Sequence, residues 1–69
     1  MKEYKSAKKL FEDIVEIKKR IRLIYTDDQI REYKKFFYNQ KINEKVLDWF
    51  WRFIWDEISY KELKKAMHL

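Results

Sequence analysis

The sequence predicts an all-α fold, a small bundle of three main helices plus a short C-terminal helix, and three observations carry that prediction. The 69 residues include no glycine and no proline, so turns that need a positive φ or a preset φ must be made by other residues, and sheets with tight hairpins are disfavoured. Apolar residues recur at helical spacing over most of the chain. Three helix starts are written out by capping residues. A chain of this length forms one domain, residues 1–69, and buries roughly 60% of the surface its unfolded chain exposes. No internal repeat, low-complexity tract or linker divides it.

The first helix is predicted over residues 3–25. Ala7, Leu10, Phe11, Ile14, Ile17, Ile21 and Ile24 fall on one stripe. On the opposite face Lys8, Glu12, Glu16 and Arg20 succeed one another at four-residue steps. Thr26 and Gln29 then form a capping box, with Tyr25 and Ile30 placed as its hydrophobic staple, and start a second helix over 27–39. That helix offers Ile30, Tyr33 and Phe37 to the core. Continued without a turn, its stripe would run into Gln40, Lys41 and Glu44, so the chain breaks between Asn39 and Asn43. Asn43 caps a third helix over 44–58, with Ile42 and Leu47 as its staple. Ser59 and Glu62 complete another capping box, stapled by Ile58 and Leu63, for a last helix over 60–68. The short connection at Thr26 predicts an antiparallel pairing of the first two helices, with the third lying in their groove.

The third helix holds the densest feature of the sequence. Trp49, Phe50, Trp51, Phe53 and Trp55 crowd into seven positions, and with Val46, Leu47 and Ile54 they cover an arc of roughly 240° at about 100° per residue. Lys45, Asp48, Arg52 and Asp56 are left as a narrow polar stripe. The arc is wider than the roughly 100° stripe of an ordinary surface helix, so it belongs either to the central helix of a tight bundle or to a contact with something else. Trp49 and Trp55 border the polar stripe, where an indole can bury its ring and keep its N–H for water or a partner. On the contact reading, Trp49, Trp51, Phe53 and Trp55 bind a partner, either a second copy in a homodimer or a host protein, as interface aromatics commonly do. A membrane surface is disfavoured because the polar stripe mixes acidic with basic residues instead of carrying a lysine-rich face.

Charge points to an alternative partner. The chain carries 17 basic and 12 acidic residues for a net charge of +5, a balance that suits nucleic-acid phosphates. The candidate strips are Lys18, Lys19, Arg20 and Arg22 in the first helix, Arg31, Lys34 and Lys35 in the second, and Lys61, Lys64 and Lys65 in the last. Several of these residues also lie near helix C-termini, where positive charge complements the macrodipole. Four arginines are a thin supply for reading base edges, so backbone contact is the expected mode. Whether the strips share a face depends on how the helices cross.

Enzymatic chemistry finds no constellation. The one histidine is His68, there is no cysteine, Thr26 and Ser59 are taken as caps, and Ser6 falls in the opening turns of the first helix. Neither a nucleophile with its base nor a metal site of His and Cys can be assembled, and phosphate-cradling loops need glycines the chain lacks. The acidic pairs Glu12 with Glu16, Asp27 with Asp28, and Asp56 with Glu57 read as surface or helix-end charges. The expectation is a small non-enzymatic regulator with no cofactor, no metal and no small-molecule substrate. Thirteen lysines, eight isoleucines and two alanines are what an AT-rich coding sequence tends to give, as in phages, plasmids and low-GC bacteria, and a phage or mobile-element origin is the expectation. With no apolar signal-like segment and no run of about 20 apolar residues, the expected compartment is the cytoplasm.

Overall fold

A computed structural model describes residues 3–68. It is all-helical: α1 spans Ala7–Arg22, α2 Asp27–Tyr38, α3 Glu44–Ile54 and α4 Tyr60–Ala66. Three main helices and a short C-terminal one are therefore present, as the periodicity predicted. Among the described residues no helix is long and apolar enough to cross a membrane.

Local chemistry explains where each helix begins. Ser6 is not inside the first helix, as the sequence reading had it. Its extended backbone makes it the N-cap, and its hydroxyl accepts the Lys9 N–H at 3.2 Å. Residues 3–6, expected in the helix, stay outside it because the extended backbone of Ser6 starts α1 at Ala7, and the Tyr4 N–H goes to the Gln40 side chain instead, at 2.6 Å. Thr26 accepts the Gln29 N–H at 3.4 Å, and Asp27 and Asp28 place negative charge at the positive end of α2. Tyr25 is 92% exposed, so the staple expected with Ile30 is not made. Asn43 accepts the Lys45 N–H at 2.8 Å. At Ser59 the full reciprocal box forms: its hydroxyl accepts the Glu62 N–H at 3.1 Å, and its own N–H donates to the Glu62 carboxylate at 3.3 Å.

The helix ends depart further from the sequence reading. α1 stops at Arg22, α2 at Tyr38 and α4 at Ala66, and α3 stops at Ile54, four residues short of the expected end. The reason for the α3 stop is a left-handed residue. Asp56 has φ 61°, its N–H reaches the Phe53 carbonyl at 3.1 Å, and the Glu57 N–H reaches back to the Arg52 carbonyl at 2.9 Å. These two bonds are the Schellman pattern, normally built on glycine. Aspartate is among the few other residues that take this conformation readily. His68, φ 58°, closes α4 in the same left-handed region.

The packing centre is α3. It packs against α1, α2 and α4, most extensively against α1, which replaces the expected arrangement of a tight α1–α2 pair with α3 laid in its groove. Leu10, Ile14, Ile17 and Ile21 of α1 meet Leu47, Phe50, Phe53 and Ile54 of α3, and Leu63 closes the core from α4. α2 contributes one buried side chain, Phe37, while Ile30 and Tyr33, expected in the core, are half-buried. α3 is thus covered on several sides at once, which is why its apolar arc is so wide. Burying a ring such as Phe50 fully is worth about 1.5–3 kcal/mol.

Polar bonds tie the periphery to this centre. Gln40 is buried, receives the Tyr4 N–H and donates to the Phe36 carbonyl at 3.2 Å. The Tyr38 hydroxyl donates to Asp48 at 2.7 Å, linking α2 to α3. Lys18 and Arg22 of α1 both pair with Asp56, the guanidinium at 3.7 Å, so the turn that ends α3 is held against α1. On the outer face of α1 the pairs form at three-residue steps, Lys9 with Glu12 and Glu16 with Lys19, both at 3.8 Å.

Candidate functional site

The four aromatic residues proposed for partner contact do not share one surface. Phe53 is 5% exposed and lies against the Tyr60 ring at 5.9 Å with the Lys18 ammonium 4.4 Å from its centroid; it is a core ring. Trp49 is the most exposed of the tryptophans, at 36%. It sits beside Lys65, Ala66 and His68 of the α4 end, with the Arg52 guanidinium 5.1 Å above its ring. Trp51 and Trp55 point the other way, toward α2. Their rings meet edge to face at 6.0 Å, and Trp51 also packs on Phe37 at 5.5 Å and Tyr38 at 6.1 Å.

The Trp51–Trp55 pair lies in a groove between α2 and α3. Asp27, Ile30, Arg31 and Lys34 form its other wall, around an open volume of ≈ 410 Å³. Each indole has a cation beside it. The Lys34 ammonium lies 5.8 Å from the Trp51 ring, and the Arg22 guanidinium 5.2 Å from the Trp55 ring, distances at which the ring quadrupole attracts positive charge. Lys34 and Arg31 come within reach because they lie three residues apart on α2. Arg22 arrives from the end of α1, where the Asp56 tether holds it.

Two of the ten basic residues, Arg31 and Lys34, therefore line this groove, Arg22 stands at its edge beside Trp55, and the other seven are spread elsewhere. Lys18 is bound to Asp56, and Lys19 pairs with Glu16. Arg20 lines the cleft between α1 and α2 with Tyr4 and Tyr33. Lys35 pairs with Glu32 at 4.0 Å. Lys61 and Lys64 are exposed on α4, and Lys65 borders Trp49. The sequence strips were thus distributed over separate faces by the crossing of the helices.

Electrostatics around these residues follow from burial and pairing. Donation to the Asp56 carboxylate by Lys18 holds that carboxyl below its ordinary range. Burial, aided by hydrogen bonding to Asp13, pushes the Tyr4 phenol up to about 12. Tyr38 is raised by burial and by its bond to Asp48, and Tyr33 by burial. The Tyr4 and Tyr38 hydroxyls donate to Asp13 and Asp48. Among the described residues no group of His, Cys, Asp and Glu is arranged to hold a metal ion.

Gln40 is the residue that sequence reasoning passed over. Its polarity and place predict a residue of the turn after α2, whereas it is buried and bonded to a residue 36 positions away. Nothing local signals that role. Compared with protein-family models, with curated proteins and with solved structures, the chain finds no match.

Proposed function

We propose that this is a small non-enzymatic regulatory protein that binds single-stranded nucleic acid in the groove between α2 and α3. The observation that carries the reading is convergence: Trp51 and Trp55 share one groove with Arg31 and Lys34, and Arg22 stands at its edge against the Trp55 ring. Strand-binding grooves of this kind combine cations that track the phosphates with aromatic side chains on which bases stack. Stacking and phosphate contact need no base-edge code, which suits a chain with four arginines. The test is a titration of tryptophan fluorescence with a single-stranded oligonucleotide at several salt concentrations. Saturable quenching that weakens as salt rises supports the reading; a flat titration at low salt refutes it.

A second reading, capture of a protein partner, is favoured by Trp49. This indole stands at the edge of α3 next to the partly buried Ala66, where a partner could cover its ring in the manner of an interface anchor. On that reading Trp49→Ala weakens partner association far more than it weakens folding, and the complex is insensitive to salt.

A further inference from the structure

Two more surfaces of the molecule are open and apolar, and they differ in charge. Val15 and Tyr60 are exposed over the edge of Phe53 in a groove of ≈ 610 Å³ bordered by Lys18, Lys19 and Arg22. Tyr33 and Phe36 stand on an open, shallow surface of α2, bordered by Asp28, Gln29 and Glu32. Around α1, at about 100° per residue, Val15, Lys18, Lys19 and Arg22 fall on one flank of the buried stripe. Arg20 falls on the other flank, in the cleft it shares with Tyr33 and Phe36. The basic groove and the acidic ridge therefore lie on opposite sides of the molecule, and one chain cannot bring its own two together.

We propose that a second copy of this chain occupies the basic groove, seating the Tyr33 and Phe36 ridge of its α2 over Val15 and Tyr60. Complementary charge argues for this occupant. Three cations border the groove against two nearby carboxylates, Asp56, which is shared by Lys18 and Arg22, and Glu16, which pairs with Lys19. Asp28 and Glu32 stand one turn apart on the ridge. The pairs that now engage the outer charges are exposed and long, at 3.8 Å for Lys19 with Glu16, 4.0 Å for Glu32 with Lys35 and 3.7 Å for Asp28 with Arg31. Pairs of that kind are weak and exchange readily for contacts across an interface. Because the two patches are different, the contact is heterologous: each copy that docks leaves one patch of each kind free, and the assembly grows head to tail. This pairing uses neither Trp51 nor Trp55 and has Arg22 in common with the strand-binding reading; its test, on the protein alone, is separate from strand binding.

The experiment is sedimentation equilibrium of the protein alone at low salt, on the wild type, on Lys19→Glu, on Glu32→Lys, and on the two variants mixed. Both side chains are largely exposed, 68% and 79%, and circular dichroism checks that each variant keeps its helices. The wild type is expected to gain mass beyond a dimer as concentration rises. Each single variant brings like charges together and weakens association about tenfold or more. The equimolar mixture recovers it, because the reversed groove of one variant meets the reversed ridge of the other. A wild type that stays monomeric or stops at a dimer overturns the proposal. So do single variants that associate normally, or a mixture that fails to recover.

Discussion

Replacing Lys34 by glutamine is the sharpest perturbation of the proposed strand-binding groove. The side chain is exposed, and its ammonium stands 5.8 Å from the Trp51 ring, so the substitution removes one positive charge and leaves the core untouched. If Arg22, Arg31 and Lys34 each neutralise one phosphate, the logarithm of the association constant falls against the logarithm of salt with a slope of roughly −2 for a single strand. Affinity then drops about 20-fold between about 50 and about 200 mM salt. Lys34→Gln is expected to lower the steepness by about 0.7. The double change with Arg31→Gln takes a further ~0.7. The assay is fluorescence anisotropy of a labelled oligonucleotide over a salt series. Lys61→Gln with Lys64→Gln serves as the control, since those lysines are on α4, away from the groove, and their loss leaves the slope unchanged. A Lys34→Gln slope equal to that of the wild type, or a control that changes it as much, refutes the assignment of this groove.

The remaining expectations concern the fold that holds the groove. Phe53→Ala should cost about 3–5 kcal/mol, a large part of the roughly 3–10 kcal/mol available to a chain of this size, whereas Trp49→Ala should cost far less; urea denaturation compares them, and equal costs would contradict their placement in core and at the surface. Asp56→Ala should destabilise more than Asp56→Asn, because asparagine keeps the left-handed turn while both lose the pairing with Lys18 and Arg22; thermal melts rank them. Asp56 is depressed in the folded state, so its contribution is present at neutral pH and is lost as pH falls below the ordinary carboxylate range, a loss that Asp56→Asn should abolish. Tyr4, Tyr33 and Tyr38 are raised above 10.0, so the folded chain holds these protons more tightly than the unfolded one. Stability should therefore fall as pH climbs through about 10 and beyond, and less steeply in Tyr38→Phe, as measured by denaturation at a series of alkaline pH values.

How much of this was legible in the sequence depends on how local each cause is. Three of the four helix starts were readable because a cap is a bond between residues two or three apart, as at Thr26 and Ser59; the Ser6 cap of α1 is as local, but no staple or box marks it. Helix ends were not, because the usual signal is glycine and here an aspartate takes its place. No residue type within α3 announces that Asp56 will adopt φ 61°. The aromatic set was found as a set, but its division needed the crossing of the helices: Trp51 and Trp55 face α2, Phe53 turns inward, and Trp49 looks toward α4. The same crossing decides that Arg22, Arg31 and Lys34 meet while the other candidate cations do not. Gln40 was invisible for the opposite reason, since its partner Tyr4 is remote in the chain.

α2 is fastened to the rest of the molecule differently from its neighbours. Only Phe37 anchors it in the interior, and the Tyr38–Asp48 and Gln40–Tyr4 bonds secure its far end. Its first turns, which carry Arg31 and Ile30, rest on half-buried contacts. Amide protons near Ile30 to Glu32 are therefore expected to exchange sooner than those of the buried faces of α1 and α3. A strand or partner gripping Arg31, Lys34 and Trp51 together would suppress the openings that allow it, so that ligand binding registers as slowed exchange at the start of α2 while the slowest core amides keep their rates. A helix held in the interior by one side chain is thus the one on which occupancy is most directly written.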